Sequence, residues 1–159
     1  MKIAGHPVEL IVYDFDGVMT DNRALQLPDG SEAVFVNRSD GMAIAKMAEL
    51  GMQQYIMSTE TNPIVVRRAE KLRIPVSHAV SDKASALDVL LKDLGITPER
   101  TAFVGNDLND LDAMLRVGVP IAPQDACTEV KEIAVITTVA IGGFGVVREI
   151  YDMFEKDES

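Results

Sequence analysis

Apolar residues fall along this chain in two rhythms, short runs and longer stretches spaced three and four apart, and the two alternate. Residues 8–13 (VELIVY) form the first run, rich in β-branched side chains, which predicts a strand buried on both faces of a parallel sheet. It stops at an acidic cluster. Two extended stretches follow, residues 24–27 and 32–37, and the PDGS between them predicts a β-hairpin that projects as a flap. Ser39 or Asp40 is placed to cap a helix reaching Leu50, with Met42, Ile44, Ala45 and Met47 as its apolar positions and Gly51 as its stop. The strand QQYIM comes next. The alternation then repeats: a helix over 62–72, a strand near 75–79, a helix over Lys83–Leu94 ended by Gly95, a strand over Thr101–Val104 and a helix over 107–117. Short strands are expected near 119–121 and 135–138, and a last helix over about 144–154. This order predicts one α/β domain over residues 1–159, a doubly wound parallel sheet whose ligands collect at the carboxyl ends of its strands.

Composition narrows what such a domain does. A length of 159 residues supports one core without disulfides, and no apolar run approaches the roughly 20 residues of a membrane span. The opening MKIAGHP shows no small-residue cleavage site and Cys127 is the only cysteine, so the expected setting is the reducing cytoplasm. Fifteen basic residues against twenty-five acidic ones give a net charge of −10, which repels a nucleic-acid backbone. The expected partner is a small molecule. The same acidity makes an anion hard to hold, so a phosphate site needs a cation and a few local Lys or Arg side chains.

Candidate chemistry sits at the ends of the predicted strands. Asp14 and Asp16 follow the first strand two apart, with Gly17 behind them, so a strand continuing even briefly points both carboxylates to one side. Two carboxylates in a partly buried cleft repel, and Mg²⁺, a hard ion that prefers oxygen ligands, relieves this by bridging them. Taken alone, the pair reads more simply as a polar loop. QQYIM ends in Ser58 and Thr59, whose hydroxyls can hydrogen-bond a phosphoryl oxygen or merely cap the next element. Lys83 opens a helix, where its ammonium either offsets charge near Asp14 or is solvated in the first turn. TAFV ends in GNDLND, which sets Asn106, Asp107 and Asp110 beside a helix N-terminus. Phosphoryl transfer needs an in-line nucleophile, neutralised charge on the equatorial oxygens and a proton donor on the far side. These four segments hold one candidate for each role.

Taken together and in this order, they resemble the haloacid dehalogenase superfamily, whose four motifs match DFDGVMTD, the Ser58 strand end, Lys83 and GNDLND over nearly the whole length. The resemblance implies that Asp14 is the nucleophile and carries the phosphoryl group as an aspartyl-phosphate. Asp16 then protonates the leaving alcohol and later activates water, while Ser58, Thr59 and Lys83 hold the phosphate. It also implies a magnesium site drawn from Asp14, Asp16, Asn106 and Asp107. One departure stands out: where the family usually has an aspartate after the motif's glycine, this chain has Asn106. An amide oxygen can coordinate the ion but adds no charge, so affinity is expected to fall unless Asp107 or Asp110 compensates.

Larger members of the superfamily insert a cap domain after the first or second motif, and no room for one exists here. The chain is similar to the capless phosphatases that act on 3-deoxy-octulosonate 8-phosphate and nonulosonate 9-phosphates and that assemble as tetramers, through FVNRSDG, NPIVVRRAEKL, SDKASA and GGFGVVRE. Glu60, with Arg68 and Lys71, resembles the nonulosonate enzymes and implies that these three meet the sugar-acid end; the plainer reading is a solvated helix face. In such relatives a Gly-rich segment like residues 142–145 lies near a subunit boundary, with Arg148 as a possible contact there. A rival of another class is a weakly active tetramerisation module serving a cytidylyltransferase, since GN also begins the fourth motif of such domains. Retention of Asp14 favours the enzyme.

Overall fold

The computed structural model describes residues 1–157. Two short antiparallel strands, β1 (Lys2–Ile3) and β2 (His6–Pro7), precede β3 (Leu10–Tyr13). β4 (Leu25–Gln26) and β5 (Glu32–Ala33) form the expected hairpin, shorter than predicted and largely exposed, with Leu25 opposite Ala33. Then come α1 (Arg38–Glu49), β6 (Gln53–Met57), α2 (Ile64–Leu72), β7 (Val76–Ser77) and α3 (Lys83–Leu94). The chain continues through β8 (Thr101–Val104), α4 (Leu108–Met114), β9 (Val119–Ala122), α5 (Thr128–Ile133), β10 (Ile136–Thr137) and α6 (Val146–Asp157).

Six strands pair in parallel in the order β10-β9-β8-β3-β6-β7. β3 is therefore the middle of the sheet, and its side chains divide between two cores as strand alternation requires. Ile11 and Tyr13 join Met47, Val65, Ile150 and Phe154 beneath α1, α2 and α6. Leu10 and Val12 join Leu87, Leu91, Ala113 and Val130 beneath α3, α4 and α5. From β3 the chain runs outward through β6 and β7, then returns to lay β8 on the other flank of β3. The strand order reverses there, which is where a doubly wound sheet opens a crevice at its carboxyl edge. Between the end of β3 and the end of β6 lie only the hairpin and α1, so no cap domain interrupts the core.

Several element boundaries move from their sequence-based positions for local reasons. The cap of α1 is Asn37, not Ser39 or Asp40: its side-chain oxygen accepts from Ser39 N at 2.9 Å and Ser39 Oγ at 2.7 Å. α2 starts at Ile64 rather than 62, because Asn62 is spent as a turn whose Oδ1 accepts from Ile64 N at 3.0 Å. α4 ends at Met114. The last helix begins after the Gly-rich segment, not within it. β1, β2 and the six-residue α5 had no counterpart in the sequence reading. No described helix is long and apolar enough to cross a membrane.

Asp40, freed from capping α1, is instead buried between helices at 1% exposure, where its Oδ1 accepts from Arg148 N at 3.1 Å at the start of α6. Its Oδ2 has no partner. Burial pushes this carboxyl up to about 6, against the opposing pull of the backbone bond and the Arg68 charge. A raised acid favours the folded state least when ionised, so its share of stability is present below about pH 4 and lost as pH climbs through about 6. In paired urea titrations from pH 4 to 7, wild type is expected to lose up to about 3 kcal/mol relative to Asp40→Asn, levelling above pH 6. A constant difference across that range would show that Asp40 is not held up.

Candidate active site

Asp14, Ser58 and Asn106 come together because they terminate three neighbouring strands. Tyr13 is in register with Ile56 on one side and Val104 on the other, so the residues just beyond leave the sheet at one level. Main-chain bonds carry this register into the loops: Asp14 N donates to Val104 O at 2.9 Å and Ser58 N to Ser77 O at 2.9 Å. Asp14, Asp16, Ser58, Thr59, Asn106 and Asp107 line one cleft of about 150 Å³, together with Asn22 and Asn109.

Beneath the cleft lies a charge cluster almost entirely out of water. Lys83 is 2% exposed, and its Nζ donates to Asp14 Oδ1 and to Asp110 Oδ1, each at 2.6 Å. Lys83 reaches this point because α3 begins at it, with Asp82 capping the helix by accepting from Ser85 N at 3.0 Å. Burial alone would lower the ammonium, but Asp14 and Asp110 more than offset it and hold it up. Burial also pushes Asp14 up, to about 7, with Asp110 adding to the rise and Lys83 opposing it. The site therefore lacks positive charge if Asp14 is to stay ionised near neutrality.

Asp110 is not a metal-facing residue, contrary to one expectation. Its second oxygen accepts from Asn106 N at 2.9 Å and Asp107 N at 3.2 Å, so it folds the motif around itself and anchors Lys83. Asp107 caps α4, accepting from Leu108 N at 2.8 Å, and closes a capping box with Asp110. The D-x-x-D spacing of that box is a signal the sequence reading passed over.

Asp16 also differs from expectation at the level of atoms. Its carboxylate does not join Asp14 in a bridged pair; Oδ1 accepts from Thr20 Oγ1 at 3.1 Å. It is the main-chain carbonyl of Asp16 that faces the Asn106 amide. With NH2 turned inward, Asn106 donates to Asp14 Oδ2 at 3.1 Å and to Asp16 O at 3.0 Å; with its oxygen turned inward, three oxygens crowd together without a donor. One carboxylate, one carbonyl and one amide oxygen form a donor set that suits a hard divalent cation such as magnesium, which would supply the missing charge beside Asp14. Among the described residues no three acidic, His or Cys side chains form a ready-made metal cluster. Of the expected Asp14, Asp16, Asn106 and Asp107, the first three bring a carboxylate, a carbonyl and an amide to one point, while the Asp107 carboxylate is engaged in capping α4.

Around the phosphate position, Ser58 Oγ accepts from Glu60 N at 3.1 Å, which leaves its hydrogen free to donate into the cleft. Thr59 Oγ1 accepts from Asn109 Nδ2 at 3.3 Å. Burial raises Asp16 above the usual carboxylate range; Thr20 opposes this, while Glu60 and Glu32 add to it. Glu60 is thus near enough for its charge to act on Asp16, although it does not line the cleft. Arg68 and Lys71 do not reach the cleft in this chain: they line a separate groove of about 520 Å³ between α1 and α2, with Arg38 and Arg73. The sequence reading missed Thr20, Asn22, Asn109 and Glu32: Thr20 and Asn109 lie inside DFDGVMTD and GNDLND without a role assigned there, Asn22 follows the first of these motifs, and Glu32 opens β5.

The profile of the haloacid dehalogenase-like hydrolases matches residues 36–150. A 3-deoxy-D-manno-octulosonate 8-phosphate phosphatase from Haemophilus influenzae is 31% identical over 147 residues, 92% of this chain and 82% of that protein. The solved structure of the phosphatase of that name from Yersinia pestis is 32% identical with a TM-score of 0.89, covering 92% of this chain and 80% of that one. Its namesake from Moraxella catarrhalis, solved with magnesium, phosphate and a KDO molecule, gives a TM-score of 0.90 at 29% identity, over 94% of this chain and 86% of that one. The chain belongs to the haloacid dehalogenase-like hydrolases, in their group of capless phosphatases.

The donor set makes a definite prediction about charge. Replacing Asn106 by aspartate adds a second carboxylate beside Asp14, so half-maximal activity in a magnesium titration is expected at several-fold lower magnesium, on the order of 1 kcal/mol. An unchanged or higher midpoint in a folded Asn106→Asp would remove Asn106 from the ion's ligands.

Proposed function

We propose that this phosphatase hydrolyses the phosphate monoester of a sugar acid, using magnesium and an aspartyl-phosphate on Asp14. The observation that carries the reading is the Asp14–Lys83–Asp110 cluster opening on the cleft beside Ser58 and the Asn106 donor set. In this reading Asp14 attacks phosphorus, and Asp14, the Asp16 carbonyl and the Asn106 amide would hold a magnesium ion that would supply positive charge against the phosphoryl oxygens. Lys83 holds the nucleophile in place and keeps its charge balanced, and Ser58 and Thr59 donate to phosphoryl oxygens. Asp16 protonates the leaving alcohol and then takes the proton of the water that frees Asp14.

Among sugar acids, we favour a nonulosonate 9-phosphate. Glu60, whose charge acts on Asp16, supports it through its resemblance to the nonulosonate enzymes, whereas Arg68 and Lys71, in their own groove, add no contact to this cleft. A second reading, 3-deoxy-octulosonate 8-phosphate, has the support of the relatives' own activity. Phosphate release from both esters separates them: a kcat/KM at least about tenfold higher for the nonulosonate ester is expected, a difference of about 1.4 kcal/mol in transition-state binding. The reverse order would replace the first reading with the second. Asp14→Asn is expected to abolish release from either ester with the fold unchanged, because an amide cannot form the acyl-phosphate. Near-normal turnover of that variant would sink the mechanism.

We also propose that the active species is a closed oligomer, a homotetramer in the leading case. Phe35, Met42, Phe144 and Leu25 are each at least 59% exposed, an apolar display that suits burial against another copy. Light scattering at micromolar concentration is expected to give four times the chain mass, and a fully active monomer would overturn the proposal.

A further inference from the structure

The loop that carries Asp16 is pressed between two parts of the chain that meet it at distances only glycine permits. On one side Gly17 has φ +85°, and a Cβ there would lie 2.0 Å from the outward-facing terminal atom of the Asn106 amide. On the other side runs the Gly-rich segment before α6. A Cβ on Gly142 would lie 2.2 Å from Gly17 O, and one on Gly143 would lie 2.5 Å from Asp21 N. Gly143 N donates to Val18 O at 3.0 Å, which fixes the contact as a bonded one. The segment belongs to the same chain as the loop, and within that chain its neighbour is the Asp16 loop.

This segment is itself fastened at both ends. Gly142 N donates to Asp125 Oδ1 at 2.9 Å, from the exposed turn after β9. Ala140 N and Val139 N donate to the Glu149 carboxylate at 2.8 and 2.9 Å, which ties the segment to the first turn of α6. The brace therefore stands on the sheet edge and on α6, while the loop it presses holds no regular secondary structure of its own.

Within the loop, Thr20 converts backbone position into side-chain direction. It is fully buried, and its Oγ1 accepts from Gly17 N at 3.3 Å and from Asn22 N at 3.2 Å. With both acceptor positions taken, the one hydroxyl hydrogen is left to point at Asp16 Oδ1, 3.1 Å away. That bond occupies Oδ1 and leaves Oδ2 as the oxygen free to face a leaving group.

We infer that Gly142 and Gly143 brace the Gly17 to Asp21 loop so that Thr20 aims the Asp16 carboxyl at the leaving-group oxygen, which makes Thr20 and the glycine segment positioning residues for proton delivery. The inference rests on the role proposed above for Asp16 as general acid. A leaving alcohol needs that proton, whereas an acidic nitrophenol departs without much help. A positioning defect therefore appears on one class of ester and not on the other, while general damage to the site lowers both.

The experiment measures kcat/KM, which reports only steps up to formation of the aspartyl-phosphate, for p-nitrophenyl phosphate and for an alkyl phosphate such as a hexose 6-phosphate. The full-length protein is compared with Thr20→Val, Thr20→Ser, Asp125→Ala and Asp125→Asn, each first checked for folding by circular dichroism. Thr20→Val is expected to lose about 10- to 100-fold on the alkyl ester and less than about threefold on the aryl ester, a part of what general acid catalysis contributes. Thr20→Ser, which keeps the hydroxyl, is expected to recover most of the alkyl rate. Asp125→Ala removes an exposed anchor of the brace and is expected to show a smaller fall of the same selectivity, with Asp125→Asn restoring it. Equal losses on both esters, or none on either, overturn the inference. Selectivity in Thr20→Val without any in Asp125→Ala overturns the part assigned to the glycine segment. A wild type inactive on every ester overturns the phosphatase reading itself, which keeps the two failures apart.

Discussion

Two carboxylates and one ammonium sit together at the carboxyl edge of the central strand, away from solvent, and most of the site's arrangement follows from keeping them balanced. Removing ions from water costs several kcal/mol each, and a buried group survives only if partners satisfy it. Lys83 meets that need for one oxygen each of Asp14 and Asp110, at 2.6 Å. Asp110 fills its other oxygen with the backbone of its own motif. Asp14 has the Phe15 main-chain N–H as a further partner, and its Oδ2 faces the Asn106 amide, where a cation could also serve it. The triad carries one net negative charge, and the unsatisfied part of it points at the cleft.

The topology explains why that charge can be placed there. Three strands that end at one level put an acid, a hydroxyl and an amide on neighbouring loops, and a reversal of strand order beside β3 keeps helices from closing over them. Helix α3 then brings Lys83 in from below, since its first residue is where the helix enters the core. Substituting an amide for a carboxylate at position 106 fits this electrostatic setting. A third buried anion beside Asp14 would raise the cost of the metal-free state, whereas Asn106 can turn its NH2 inward and donate to both neighbours.

Acidity of the whole molecule and binding of an anion are compatible because they act at different ranges. A net charge of −10 spread over the surface is screened beyond about 8 Å at physiological salt. The cleft depends on contacts much shorter than that. Basic side chains that could favour an anion further out, Arg38, Arg68, Lys71 and Arg73, are gathered in a groove of their own between α1 and α2.

Local patterns were enough to determine the fold class, the order of the six sheet strands along the chain, and the helix that begins at Lys83. Those features follow from burial alternation and caps, which are readable from residues close in sequence. The catalytic candidates Asp14, Ser58 and Asn106 were legible as polar residues just past an apolar run, and Lys83 as the first residue of a capped helix. Tertiary structure alone decided what their atoms do. No spacing rule tells that Asp16 turns its carboxylate to Thr20 and its carbonyl to Asn106, that Asp110 is committed to Lys83, or that Asp40 caps a helix 108 positions away. Nor does spacing tell that Arg68 and Lys71 leave the cleft for another groove, or that Gly142 and Gly143 lie against the Asp16 loop. Each of these depends on contacts between segments distant in sequence, whose geometry is fixed only when the sheet and its helices have packed.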